Sequence, residues 1–145
     1  MYEIKSYQGV SEIKFGDESA VIEKFMKIKP SKFKKSPYDI SETDAYEDFF
    51  VYYDKDGKCD AIEFNSNADV IFKNISFFGV KYVDVENAFR NIDSDIGIDE
   101  VGFNSNKFGI GVYAPNKDDN DAEIESVIIF RQGYYDWRVY TFLLL

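Results

Sequence analysis

Residues 48–64, DFFVYYDKDGKCDAIEF, constrain this chain more than any other stretch. Asp56-Gly57 is the dipeptide that a two-residue type I′ turn favours, because both central residues need positive φ. A turn there predicts a hairpin in which Phe49 faces Phe64, Val51 faces Ile62, Tyr53 faces Asp60 and Lys55 faces Lys58. Period-2 geometry then puts Phe49, Val51, Tyr53, Ile62 and Phe64 on one face. The other face is mixed, with Phe50 opposite Glu63, Tyr52 opposite Ala61 and Asp54 opposite Cys59. A slip of one residue would throw Val51 and Ile62 onto opposite faces, so the apolar pattern supports this register. The facing lysines beside the turn repel mildly and count a little against it.

The flanking chain alternates between strand and helix signals. Tyr2 and Ile4 read as a leading strand, and Ile13 and Phe15 as another, closed by Gly16. Asp17 is a candidate N-cap, with Glu18 favourable in the first turn of the helix that follows. Val21, Phe25 and Ile28 recur at i, i+4 and i+7 and predict that helix's apolar stripe, which Ile22 and Met26 widen. Pro30 ends it near Ile28. Residues 29–44 read as a polar connector, and residues 68–73 and 75–78 as extended segments. Val85, Ala88, Phe89 and Ile92 mark a second amphipathic helix. An acidic loop at 93–100, strand-like segments at 101–103 and 109–113, and a polar turn at 114–123 follow. Residues 124–130 are apolar on both faces, the signature of a strand interior to its sheet. Gly109 and Gly111 suit a bulge or a close packing position. Gly133, Tyr134, Tyr135 and Trp137 lead into a last apolar segment at 138–145; these aromatics close the core or, if exposed, anchor an interface.

Two halves align. Residues 13–15 (IKF) match 75–77 (ISF), and Val21, Phe25 and Ile28 match Val85, Phe89 and Ile92 at identical spacing. Val51-Tyr52 matches Val112-Tyr113, and Ile62-x-Phe64 matches Ile128-x-Phe130. Each half reads strand, helix, strand, strand. The expectation is an α+β fold, a largely antiparallel sheet built from two such pseudo-repeats with two helices packed on it. The 145 residues form a single domain with an internal duplication, about 10–64 and 74–130.

Composition then limits function. The net charge of −10 argues against nucleic-acid binding and against docking on an anionic membrane. It suits attraction to basic partners. The charge is segregated: Lys24, Lys27, Lys29, Lys32, Lys34 and Lys35 form a basic run, and without them 11 basic residues face 27 acidic ones. That run also reads simply as a solvated helix end, where lysines suit the dipole. With no histidine, the commonest general base and the Ser-His-Asp and Cys-His arrangements are missing. Cys59 is the single cysteine, so no internal disulfide forms and no thiolate metal site is available. No glycine-rich phosphate motif occurs. No cofactor is expected. The amino terminus lacks a basic segment followed by an apolar run, and no stretch is long enough to span a membrane, so a cytoplasmic protein is expected.

Carboxylates are the one abundant reactive type. Asp54, Asp56 and Asp60 surround the first hairpin turn, Asp93, Asp95, Asp99 and Glu100 lie in the acidic loop, and Asp118, Asp119, Asp121 and Glu123 lie in the polar turn. No EF-hand pattern fits: counted from Asp54 the glycine falls at position four, and counted from Asn116 position six is Asp121 and position twelve is Val127, which leaves only adventitious calcium for the second loop.

Residues 9–21, GVSEIKFGDESAV, and 52–64 carry a leading I-x-F-G and an extended V-x-Y-D-x-D-G followed by I-E-F. In these the chain resembles small bacterial immunity proteins of polymorphic toxin systems, including contact-dependent growth inhibition. The resemblance implies a monomer or weak dimer that binds a cognate toxin domain stoichiometrically and does no chemistry. Such toxins are often nucleases with basic clefts, and an acidic inhibitor would associate with one quickly by steering. The eleven carboxylates named above are the expected contacts. Two other readings compete: a structural or regulatory module that dimerises through a sheet edge, and a histidine-free hydrolase using two carboxylates.

Overall fold

The computed structural model describes residues 1–134. Tyr135, Trp137 and the apolar segment 138–145 lie outside the described residues. In chain order the elements are β1 (Tyr2–Lys5), β2 (Gly9–Val10), β3 (Ile13–Lys14), α1 (Ser19–Met26), β4 (Ser31–Phe33), β5 (Thr43–Ala45), β6 (Phe49–Tyr53), β7 (Cys59–Asn65), β8 (Val70–Phe72) and β9 (Ile75–Ser76). Then come α2 (Tyr82–Ile92), β10 (Gly97–Asp99), β11 (Gly102–Ser105), β12 (Ile110–Tyr113) and β13 (Ser126–Phe130).

The fold is α+β, with two sheets in place of the single sheet expected. Eight strands form an antiparallel sheet in the order β10-β11-β12-β13-β7-β6-β5-β4, and five form a second in the order β3-β2-β1-β8-β9. Only the β1–β8 pair is parallel among the described residues. The presumed connector at 29–44 contains β4 and β5, and the presumed loop at 93–100 contains β10. Their polar composition hid them: β4 and β10 are short, exposed edge strands, and an edge has little apolar surface to bury.

One core cluster joins both sheets and both helices. It takes Ile4, Val10 and Phe72 from the small sheet, Ile22 from α1, Val85 and Phe89 from α2, and Phe49, Val51, Ile62, Phe64, Phe103 and Val127 from the large sheet. The helices and the small sheet therefore cover one face of the large one. On its opposite face Tyr52, Ala61, Phe130 and Tyr134 form a second cluster.

The order hairpin, helix, four-strand meander occurs twice, as β2 through β7 and as β8 through β13. The two meanders abut at β7 and β13, paired from Ser126↔Asn65 to Phe130↔Ala61. Val51 pairs with Ile62 and Val112 with Val127, so these two pairs occupy equivalent places. The alignment of Ile62-x-Phe64 with Ile128-x-Phe130 is therefore one residue out of step. Phe64 belongs to the main core and Phe130 to the opposite face.

The hairpin pairs as the sequence predicts over Phe49↔Phe64, Phe50↔Glu63, Val51↔Ile62 and Tyr52↔Ala61. Beyond that the prediction is wrong. Tyr53 pairs with Cys59 instead of Asp60, and the Asp54 amide donates to the Lys58 carbonyl at 2.8 Å, so Lys55 and Lys58 do not face each other. The Gly57 amide donates to the Asp54 carbonyl at 3.0 Å. Among residues 54–58 only Gly57 has positive φ, at +75°. The loop is thus a type I turn followed by a left-handed glycine, three residues long. The Asp54 carboxylate decides the choice by accepting the amides of Asp56 at 2.9 Å and Lys58 at 3.0 Å. The extra loop residue moves the register by one, and a bulge at Asp60 moves it back.

Helix α1 is turned relative to expectation. Ile22 is buried and Met26 half-buried, whereas Val21, Phe25 and Ile28 are 41%, 43% and 63% exposed. The sequence SAVIEKFM offers two stripes at helical spacing, and packing selects Ile22 and Met26. Asp17 does not cap it: Glu18 occupies the N-cap position, and the Asp17 carboxylate accepts the Lys14 amide at 2.9 Å. Lys27 in the left-handed conformation ends the helix before Ile28. In α2 the predicted stripe is the buried one, through Val85 and Phe89.

Gly109 ties the β1–β2 turn to the large sheet. Its φ is +70°, and a Cβ there would lie 2.8 Å from the Tyr7 ring and 2.9 Å from the Phe130 carbonyl oxygen. The Tyr7 hydroxyl donates to the Asn106 carbonyl, and the Ser6 hydroxyl donates to the Phe108 carbonyl at 2.9 Å.

Candidate functional site: an acidic edge and a buried aspartate

Ten of the eleven carboxylates fall into three situations, and Asp95 stands apart. Asp60 and Asp93 are 4% exposed and cannot be surface contacts. Asp60 is the bulge residue. Asp93 sits at the end of α2, where its carboxylate accepts the Ser105 hydroxyl at 2.7 Å and the Asp95 amide at 2.9 Å. Asp54 and Asp56 occupy the β6–β7 turn at one end of the large sheet, where Asp54 serves the turn itself.

The third group lies at the other end. Asp99 and Glu100 close β10, and Asp118, Asp119, Asp121 and Glu123 occupy the β12–β13 loop; all six are exposed. Backbone pairing holds these two segments together. The Ala114 amide at the start of the loop donates to the Val101 carbonyl at 2.7 Å. The Tyr82 amide at the start of α2 donates to the Ala122 carbonyl at 2.8 Å, which fastens the far side of the loop to the helix. Asp121 pairs with Lys81 at 3.2 Å, both side chains being largely exposed, so the pair is worth little. Val101 and Tyr113 lie at this end with 42% and 44% of their surface exposed, and Ile98, paired with Phe103, is 40% exposed on the core-side face. Asp95 is exposed on the segment that enters β10.

A groove of about 520 Å³ runs past Asp93, Ser94, Asp95, Asn106 and Lys107. The acid at its base, Asp93, has each oxygen occupied by a neighbouring donor, so it acts as a structural acceptor. Among the described residues no group of three or more metal-ligating side chains comes together, and no helix is long and apolar enough to cross a membrane.

A second constellation was not read from the sequence. Asp44 is 1% exposed and accepts from Ser19 Oγ at 2.5 Å, Lys32 Nζ at 2.6 Å and Tyr53 OH at 2.6 Å. It joins α1, β4, β5 and β6. Nothing local marks Asp44, because its three donors come from three other elements. Burial, then the hydrogen bond to Asp44, pushes the Tyr53 phenol well up from its ordinary value. Burial and the Asp44 charge push Tyr46 up to about 12. Burial and a hydrogen bond to Glu86 push Tyr82 up as well.

These shifts have one sign. A tyrosine whose folded pKa is raised holds its proton more tightly in the folded state. Its contribution is fully present below the unfolded value near 10.0 and is lost as pH rises toward about 12, the folded value for Tyr46. The urea midpoint should therefore be flat from neutral pH to about 10 and fall steeply above it. Tyrosinate absorbance should rise together with unfolding. A smooth titration of every tyrosine near pH 10, with the fold intact, would show that these phenols are not held as described.

No family model, curated protein or solved structure matches the chain.

Proposed function

We propose that the protein binds a basic protein partner through the acidic edge formed by β10 and the β12–β13 loop, and neutralises it by stoichiometric occlusion. The observation that carries this reading is the composition of that edge. Asp99, Glu100, Asp118, Asp119 and Glu123 are exposed at one end of the sheet, as is Tyr113, which shares a face with Asp99 through the pairs Asp99↔Gly102 and Gly102↔Tyr113. Carboxylates beside an exposed aromatic suit a protein interface, and Tyr113 is of the type that carries binding energy. The partner class, a toxin domain and in particular a nuclease with a cationic cleft, comes from the resemblance of residues 9–21 and 52–64 to bacterial immunity proteins. On this reading the protein is a cytoplasmic inhibitor without chemistry or cofactor of its own. Asp54 and Asp56 take no part, because they lie at the opposite end of the sheet.

The test begins with what is encoded immediately upstream: a large secreted protein with a variable C-terminal domain is expected there, and a metabolic operon would count against the reading; binding is then measured to that domain. Equimolar inhibition of that domain is expected. Reversing Asp99, Glu100, Asp118 and Asp119 to lysine should slow association by about 10- to 100-fold at low salt. Reversing Asp56, whose carboxylate does not hold the turn, should leave the rate within about twofold. Equal sensitivity to both reversals, or to neither, rejects the acidic edge as the contact. Catalytic turnover of any substrate by the isolated chain would favour the hydrolase reading instead.

A further inference from the structure

The two outermost strands of the large sheet, β4 and β10, occupy equivalent places in the two meanders, each reached from the end of a helix. Their charges are opposite. The segment joining α1 to β4 is Lys27-Ile28-Lys29-Pro30, and the segment joining α2 to β10 is Asp93-Ser94-Asp95-Ile96. Lys34 follows β4, and Asp99-Glu100 closes β10. Among the described residues, Lys24, Lys27, Lys29 and Lys34 make no ion pair with an acid. The pair Lys32–Asp44 fixes β4 to the sheet, and among the described residues no strand pairs with its outer side.

Both edges also expose apolar side chains. Phe25, Ile28 and Phe33 are 37–63% exposed beside the basic edge, and Ile98 and Val101 are 40% and 42% exposed on the acidic one. Scattered exposed apolar residues are ordinary, and others occur elsewhere on the surface, but these five adjoin the two edges that bear opposite charge. Lysines on an edge strand usually prevent sheet-to-sheet pairing. β4 itself carries only Lys32, which Asp44 holds; Lys27, Lys29 and Lys34 flank the strand, where they oppose pairing of β4 with another β4 and favour pairing of β4 with a β10.

From this complementarity we propose that the α1–β4 edge docks on the α2–β10 edge of a second copy of the chain, so that copies associate head to tail and continue the eight-stranded sheet from one molecule to the next. An isologous dimer would set lysines against lysines or acids against acids, whereas the heterologous contact matches charge and apolar surface at once and does not close on itself. The contact covers part of the acidic edge assigned above to a basic partner, so such a partner would compete with self-association. The proposal does not require that partner to exist.

Sedimentation velocity on the full chain tests it. At low ionic strength the average mass should rise with concentration past that of a dimer. The apparent dissociation constant should weaken about tenfold when salt rises from about 0.05 M to about 0.5 M. A basic-edge variant (Lys27→Gln, Lys29→Gln, Lys34→Gln) and an acidic-edge variant (Asp95→Asn, Asp99→Asn, Glu100→Gln) should each be monomeric alone. Mixed in equal amounts they should form a heterodimer and nothing larger, because one intact edge of each kind remains. Recovery in the mixture also shows that both variants fold. A wild-type chain that stays monomeric at every concentration overturns the proposal. So does a symmetric dimer that survives both variants, or a basic edge that binds an added polyanion while the chain stays monomeric. None of these outcomes bears on whether the acidic edge binds a toxin, which the inhibition assay reads separately.

Discussion

Phe89→Ala is expected to destabilise the fold by about 3–5 kcal/mol, the range for removing a fully buried aromatic ring. The ring is 0% exposed and lies within 5.0 Å of Phe103, 5.7 Å of Phe77 and 6.1 Å of Phe72, measured between centroids. These partners come from β11, the segment after β9, and β8, so one side chain fastens α2 to both sheets. Truncation leaves a cavity that three aromatic neighbours from different elements cannot collapse into together. Phe25→Ala, its counterpart by sequence spacing, should cost less than about 0.5 kcal/mol, because that ring is 43% exposed. Urea denaturation of the two variants compares them directly. Similar losses would mean that α1 buries the stripe the sequence suggests, and that its described orientation is wrong.

Asp44→Ala should be comparably severe, at about 3–5 kcal/mol. The larger part comes from the donors left behind. Tyr53 OH and Ser19 Oγ both direct their protons at this carboxylate, and a buried donor without an acceptor costs about 1–3 kcal/mol. The ion pair with Lys32 contributes less, because that side chain is 44% exposed and water screens it. Lys32→Met should cost less than Asp44→Ala, about 1–3 kcal/mol, because the buried carboxylate keeps two hydroxyl donors but loses its countercharge. The two urea midpoints separate these terms. A Lys32→Met variant as unstable as Asp44→Ala would place the energy in the ion pair instead. The Asp44 variant should also let Tyr46 ionise at lower pH, since its negative neighbour is gone.

Legibility in the sequence followed the range of the interactions. The β6–β7 pairing from Phe49 to Tyr52 could be read because two apolar alternations separated by a short loop leave one register that keeps both on one face. In α2, Val85 and Phe89 stand out against polar neighbours, so the stripe is unambiguous. In α1 the apolar residues Ala20, Val21, Ile22, Phe25 and Met26 spread around the helix, and the choice of Ile22 over Val21 and Phe25 belongs to the sheet beneath it. The edge strands β4 and β10 were missed because strand patterns are read from burial, and both are exposed. The candidate acids show the same limit. Sequence treats Asp60 and Asp93 as equals of Asp99 and Asp118, yet a bulge buries the first and Ser105 holds the second in the interior. Asp44, the carboxylate with the most donors, lay in a segment read as a connector.

The β6–β7 hairpin holds its faces through a lengthened loop and a bulge that cancel. Such a ribbon has slack built into it. A residue gained or lost at the tip should be absorbed where Asp60 sits, leaving the pairing from Phe49 to Tyr52 undisturbed.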